Sequence, residues 1–349
     1  MRLPGRPSIK PTTAQGHTTR NRALPTTRFP RRHRGRYASD CRASGTRSYI
    51  IAVVSGLFLA VGTLAWGAPP QPAALKVAAT IFPLYDLVRQ VAGPAVEVVL
   101  LVPPGSSEHT FTVKPGTVRA ITGCTAIFAI GYGLDDWVAR LAREAGVPRT
   151  IVLDTGIPLR HGYSEKPSNG PARSQAASQD AVDPHYWLAV PNAIRMVQTI
   201  AEALAQLDPP AQADYQQRAA AYLEQLRHAE VEIRRLLTDL PRRDIATFHR
   251  AFDYFAEAYG LTVVAVFEPV PGKEPGPRYV EAFQRQVRAH NLRTVFIEPQ
   301  LSEAALRGLT QDLGITLRKL DPLGGSQGVE SYIAMMQFNA AQIAAALRE

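Results

Sequence analysis

The stretch "PAQADYQQRAAAYLEQLRHAEVEIRRLLTDLP", residues 210–241, decides the fold. Between its two prolines lie thirty residues without Gly or Pro. Tyr215, Ala219, Leu223, Leu226, Ile233, Leu237 and Leu240 mark one side at helical steps. A helix of that length spans about 45 Å at 1.5 Å per residue, longer than most helices inside one domain. A rod crossing between two lobes is the economical reading, and it implies a small, stiff adjustment between them rather than a wide hinge.

The flanks agree. On the amino side "LKVAATIFPLYDLVRQVAG", "VEVVLLVPPG", "VKPGTVRAITGC", "AIFAIG", "DDWVARLAREAG" and "TIVLDTG" alternate strand and helix. "VEVVLLVPPG" is so continuously apolar that it reads as a strand buried on both faces. A second helix is expected from Pro191 to Leu207. On the carboxyl side "DIATFHRAFDYFAEAYG", "LTVVAVFEP", "RYVEAFQRQVRAH", "TVFIEPQ", "SEAALRGLTQDLG" and "TLRKLDPLGG" repeat the alternation, and a closing helix covers 329–348. Such alternation predicts parallel sheets flanked by helices. The expected organisation is α/β: an N-terminal lobe over 74–209, a linking helix over 210–240 and a C-terminal lobe over 241–349.

The formal charge of +9 suggests a nucleic-acid partner, but it is concentrated in one place. Residues 1–48 hold eleven Arg and one Lys against Asp40; the rest has 27 basic and 29 acidic residues. A nearly neutral body has no surface for a phosphate backbone. The basic extension runs into "SYIIAVVSGLFLAVGTLAWGAPP", whose apolar run over 49–68 and small-residue "AWGA" read as an export signal cleaved after Gly67 or Ala68. The extension is long for an n-region, so translation is expected to begin downstream of Met1. Cys41 lies in the extension and Cys124 in the body, so the mature chain is expected to have no disulfide. Residues 162–182, rich in Gly, Pro, Ser and Ala, read as a polar surface loop.

Ligands of open parallel sheets collect beyond the carboxyl ends of the strands. Four ionisable residues satisfy that rule: His109 in "VPPGSSEHTF", His185 in "DPHYWLAVPNA", His249 in "IATFHRAF" and Asp321 in "LRKLDPLGG". Any one of the histidines alone reads better as a hydrogen-bonded, non-ligand imidazole. Together, two from each lobe, three imidazoles and a carboxylate suit a four-coordinate cation such as zinc better than the harder manganese. His17 and His33 lie in the extension, His161 at the loop edge, and His228 and His290 on helix positions expected to be solvated. Glu298 in "FIEPQ" is placed to accept a hydrogen bond from a ligand imidazole or to cap a turn. Glu268 and Glu274 are expected on a Pro/Gly-rich surface loop, and Tyr186, Trp187 and Phe248 in the core.

From Lys76 to Glu349 the chain resembles the zinc and manganese solute-binding proteins that feed ABC importers, a family of periplasmic carriers, lipoproteins and adhesins. "VPPGSSEHTFTVKPGTVRAI", "DPHYWLAVPNA", "FHRAFDYFAEAYGL" and "LDPLGG" are similar to its four metal motifs. The resemblance assigns His109, His185, His249 and Asp321 as ligands of a transported ion. With His at 249 it implies zinc, a manganese or iron carrier on the same site being the alternative. It also implies a monomeric extracytoplasmic carrier that is not an enzyme, with an ABC permease as partner. Two departures are visible: the 162–182 loop has no His, and no Cys stands at the cleavage site to take a lipid. An exported zinc hydrolase is the competing class, but no His-Glu-x-x-His helix is present. An adhesin on the same scaffold is the third.

Overall fold

Two four-stranded parallel sheets of identical topology, each in the order 2-1-3-4, carry the chain. The computed structural model describes residues 74–162, 181–268, 272–273, 275–300 and 307–349, all within one compact unit, Ala68–Glu349. The basic extension, the export signal, most of the polar loop (163–180) and Glu274 lie outside the described residues.

The first sheet holds β1 (Lys76–Ala79), β2 (Glu97–Leu100), β3 (Ala126–Ala129) and β4 (Thr150–Val152). They are connected by α1 (Phe82–Ala92), α2 (Pro115–Ala120) and α3 (Trp137–Ala145). Then come α4 (Val190–Leu207) and the long α5 (Gln212–Leu237). The second sheet holds β5 (Asp244–His249), β6 (Thr262–Glu268), β7 (Thr294–Ile297) and β8 (Thr316–Lys319). It is served by α6 (Asp253–Tyr259), α7 (Pro277–Ala289), α8 (Arg307–Leu313) and α9 (Tyr332–Arg348).

The central strands β1, β3 and β7 are apolar because helices cover both of their faces. The expectation for β2 needs correction. It is an edge strand with Glu97 exposed: Val98 packs on the main core and Val99 on the cluster behind the first sheet, so both faces are covered but only in part.

The linking helix is also shorter than its prolines suggest. A 3-10 turn at Pro209–Ala211 precedes α5, which ends at Leu237 after 26 residues, about 39 Å. It packs against α1, α4 and α9. One core runs continuously from α1 and α4 through α5 to α6 and α9, while smaller clusters fill the outer face of each sheet. The two sheets are thus cemented by a shared core as well as by a rod.

Candidate metal centre

His249 is the last residue of β5, and Glu298 directly follows β7. β5 and β7 are neighbours in the sheet although they are not consecutive in sequence, so this is the switch point where an open sheet forms its crevice. From the other sheet come His109, on the loop after β2, and His185, on an Asp-Pro turn ahead of a 3-10 turn at Tyr186–Leu188. Asp183 builds that turn: its Oδ1 accepts from the His185 amide at 3.0 Å and from His185 Nδ1 at 2.8 Å. Pro191 then seats the first turn of α4.

The three imidazoles converge through their Nε2 atoms. His185 Nε2 lies 3.2 Å from His109 Nε2 and 3.3 Å from His249 Nε2. Three nitrogens each 2.0–2.1 Å from a tetrahedral zinc would stand about 3.3 Å apart. Asp183 and Glu298 fix the tautomers, because Nδ1 of His185 and of His249 each face a carboxylate and must carry hydrogen there. His185 Nε2, and His249 Nε2 once it has shed its proton, then offer a lone pair to the centre, the usual carboxylate–histidine–metal arrangement. Glu298 is itself steadied by Gln300 Nε2, 2.7 Å from its Oε2. Replacing Glu298 by Gln should weaken metal binding about 10- to 100-fold. A chelator-competition titration giving wild-type affinity would show that His249 needs no anchor.

A fourth group joins them that sequence reasoning passed over. Ligand atoms of Glu108, His109, His185 and His249 all lie within 4.8 Å of one another. Glu108 is 2% exposed, and among the described residues neither carboxylate oxygen finds a hydrogen-bond partner in another residue. An acid beside an exposed-looking Ser pair carried no signal of burial. Asp321, expected as the fourth ligand, is buried nearby but is not in this group. Its Oδ1 accepts from the amides of Leu323 at 3.0 Å and Gly324 at 2.7 Å.

Burial and charge set the protonation states. Burial, with His185 and His249 adding to it, drives the His109 imidazole down to about 2, and burial likewise holds His185 well below its usual range. Burial also opposes a charged His249, yet the carboxylates of Glu298, Glu108 and Glu268 override it and hold His249 at about 9. Burial lifts Glu108 to about 7 against the pull of His249, and Asp183 to about 7.

Two other expectations change. Glu268 is buried, its Oε1 accepting from the Gly272 amide, and does not present itself on a surface loop. His290 is not merely solvated: its Nδ1 meets Asp244 Oδ2 at 2.7 Å. Tyr186, Trp187 and Phe248 are core, as their apolar surroundings predict.

Residues 77–346 match the family model described as zinc-uptake complex component A, periplasmic (ZnuA). The chain belongs to this family. The manganese-binding lipoprotein MntA of Halalkalibacterium halodurans is 26% identical over 301 residues, covering 84% of this chain and 95% of that protein. The zinc-binding lipoprotein AdcA of Streptococcus pneumoniae is 25% identical over 271 residues, or 76% of this chain and 54% of AdcA. The chain therefore spans about half the length of that streptococcal relative. Among solved structures, a crystal structure of ZnuA superposes with a TM-score of 0.68 at 28% identity, covering 78% of this chain and 99% of that one. The solute-binding protein FpvC of Pseudomonas aeruginosa, in complex with manganese, gives 0.68 and 28% over 78% and 98%. Within the ZnuA family this chain is thus similar to both zinc- and manganese-named members.

Proposed function

We propose that this protein captures a divalent transition metal, zinc before manganese, and carries it to an ABC permease outside the cytoplasm. The observation that carries the reading is His185 Nε2 at the edge length of a zinc tetrahedron from both His109 Nε2 and His249 Nε2, with Nδ1 of His185 and of His249 each on a carboxylate. His109, His185 and His249 are the nitrogen ligands, and the zinc- and manganese-named relatives support the cargo class. Glu108 supplies the fourth position, since its buried oxygens find no hydrogen-bond partner in another described residue and it sits within the ligand group. Asp321 remains the second candidate from the sequence; its Oδ1 is engaged by its own turn. With four protein ligands no position is left for a reactive water, which fits capture rather than hydrolysis. No described helix is long and apolar enough to cross a membrane, and export rests on the apolar run at 49–68.

The test is metal analysis by mass spectrometry on protein from residue 69 onward, purified without a His tag, followed by zinc–manganese competition. One zinc per chain, held against excess manganese, is expected. Manganese at that stoichiometry would change the cargo, and absence of uptake would overturn the function. Glu108→Gln and Asp321→Asn, run in parallel, separate the two carboxylates by which of them lowers zinc affinity.

A further inference from the structure

The turn after β8 reaches both ligand-bearing segments of the opposite lobe. It is stiff in itself: besides the two amides on Asp321 Oδ1, Asn339 brackets the Asp321 backbone, accepting its N–H and donating to its carbonyl, each at 2.7 Å. On one flank Trp187, two residues past His185, donates its Nε1–H to the Pro322 carbonyl at 2.7 Å. The Trp187 and His185 rings lie 5.3 Å apart. On the other flank Gly325, at φ +82°, is pressed so closely that a Cβ would meet the Phe82 ring at 2.8 Å and Pro104 Cγ at 3.1 Å. Pro104 stands on the loop that carries His109. Tyr332 closes the frame, its hydroxyl donating to the Trp187 carbonyl at 2.7 Å and its amide to Asp86 Oδ2 at 2.8 Å. Trp187, Tyr332 and Asn339 are fully buried.

We propose that the Asp321–Gly325 turn is the positioning element of metal capture, and that Trp187 is the residue through which it sets His185 in register with His249. The inference rests on reading the three imidazoles as metal ligands. A coordination site tolerates only a few tenths of an ångström of misplacement, and its ligands here come from two different sheets. The Trp187 N–H spans that gap at its dry end. If the lobes part, the indole loses its acceptor where water cannot replace it, so the hydrogen bond favours the registered form.

Trp187→Phe keeps the aromatic packing and removes the donor. Zinc dissociation, followed by stopped-flow transfer to a chelator, should accelerate about tenfold, the equivalent of about 1.4 kcal/mol, with association unchanged. The rise in melting temperature on adding zinc should shrink accordingly. A purely structural Trp187 would lower the melting temperature of free and loaded protein alike and leave dissociation at the wild-type rate; that result overturns the proposal. Tyr332→Phe, which deletes one hydroxyl behind Trp187, is the gentler second variant. It should speed release about threefold, and an unchanged rate counts against the frame. Wild-type protein that takes up no zinc would overturn the ligand reading as well, whereas zinc-binding wild type with an indistinguishable Trp187→Phe overturns this inference alone.

Discussion

His185→Ala should lower zinc affinity more than a hundredfold while leaving the chain folded. His185 stands between the other two imidazoles, 3.2 Å from one Nε2 and 3.3 Å from the other, and is fully buried. Structural zinc sites bind with roughly 12 kcal/mol, about 3 kcal/mol per ligand when shared by four, and each 1.4 kcal/mol is tenfold. Asp183, the carboxylate on His185 Nδ1, is held by the His185 amide. Chelator competition gives the affinity, and circular dichroism reports the fold. An affinity within tenfold of wild type would mean the ion sits elsewhere.

Lowering the pH from 8 to 6 should weaken metal binding about a thousandfold. The sign follows from which groups hold protons in the metal-free protein. His109, driven to about 2, and His185, held well below its usual range, are already neutral and release nothing. His249, held at about 9, and Glu108, raised to about 7, must each shed a proton before they can coordinate. Between pH 9 and 7 one proton leaves per ion, costing about tenfold in affinity per pH unit; below 7 two leave, about a hundredfold per unit. Above 9 this dependence vanishes. Calorimetry in two buffers of different ionisation enthalpy counts the protons directly. A flat affinity across this range would show that neither group is protonated.

Much of the architecture is legible in the residues. The Pro210–Pro241 interval gives the rod, and the alternation of apolar runs with amphipathic segments gives two parallel sheets. The crevice rule also selects His109, His185 and His249. What escapes it depends on distances between segments far apart in the chain. β2 reads as buried because an apolar run does not say whether the strand has one neighbour or two. Glu108 reads as a solvated acid because nothing local reports that the opposite lobe covers it. Asp321 Oδ1 is engaged by the amides two and three residues on, in a turn that an Asp-Pro pair favours. Asp183 stands in the Asp-Pro turn before His185, and its contact with His185 Nδ1 follows from the turn's tightness.

The spacing of the three Nε2 atoms also bears on unloading. A carrier that must first visit a rare closed state loses affinity in proportion to that state's population. With His185 already a tetrahedron's edge from both other imidazoles, and the two sheets joined through a shared core, almost none is lost. The same readiness leaves no loosely held state for the ion to slip into. Release then requires the lobes to part, so the Trp187–Pro322 hydrogen bond that resists parting also lengthens the ion's residence.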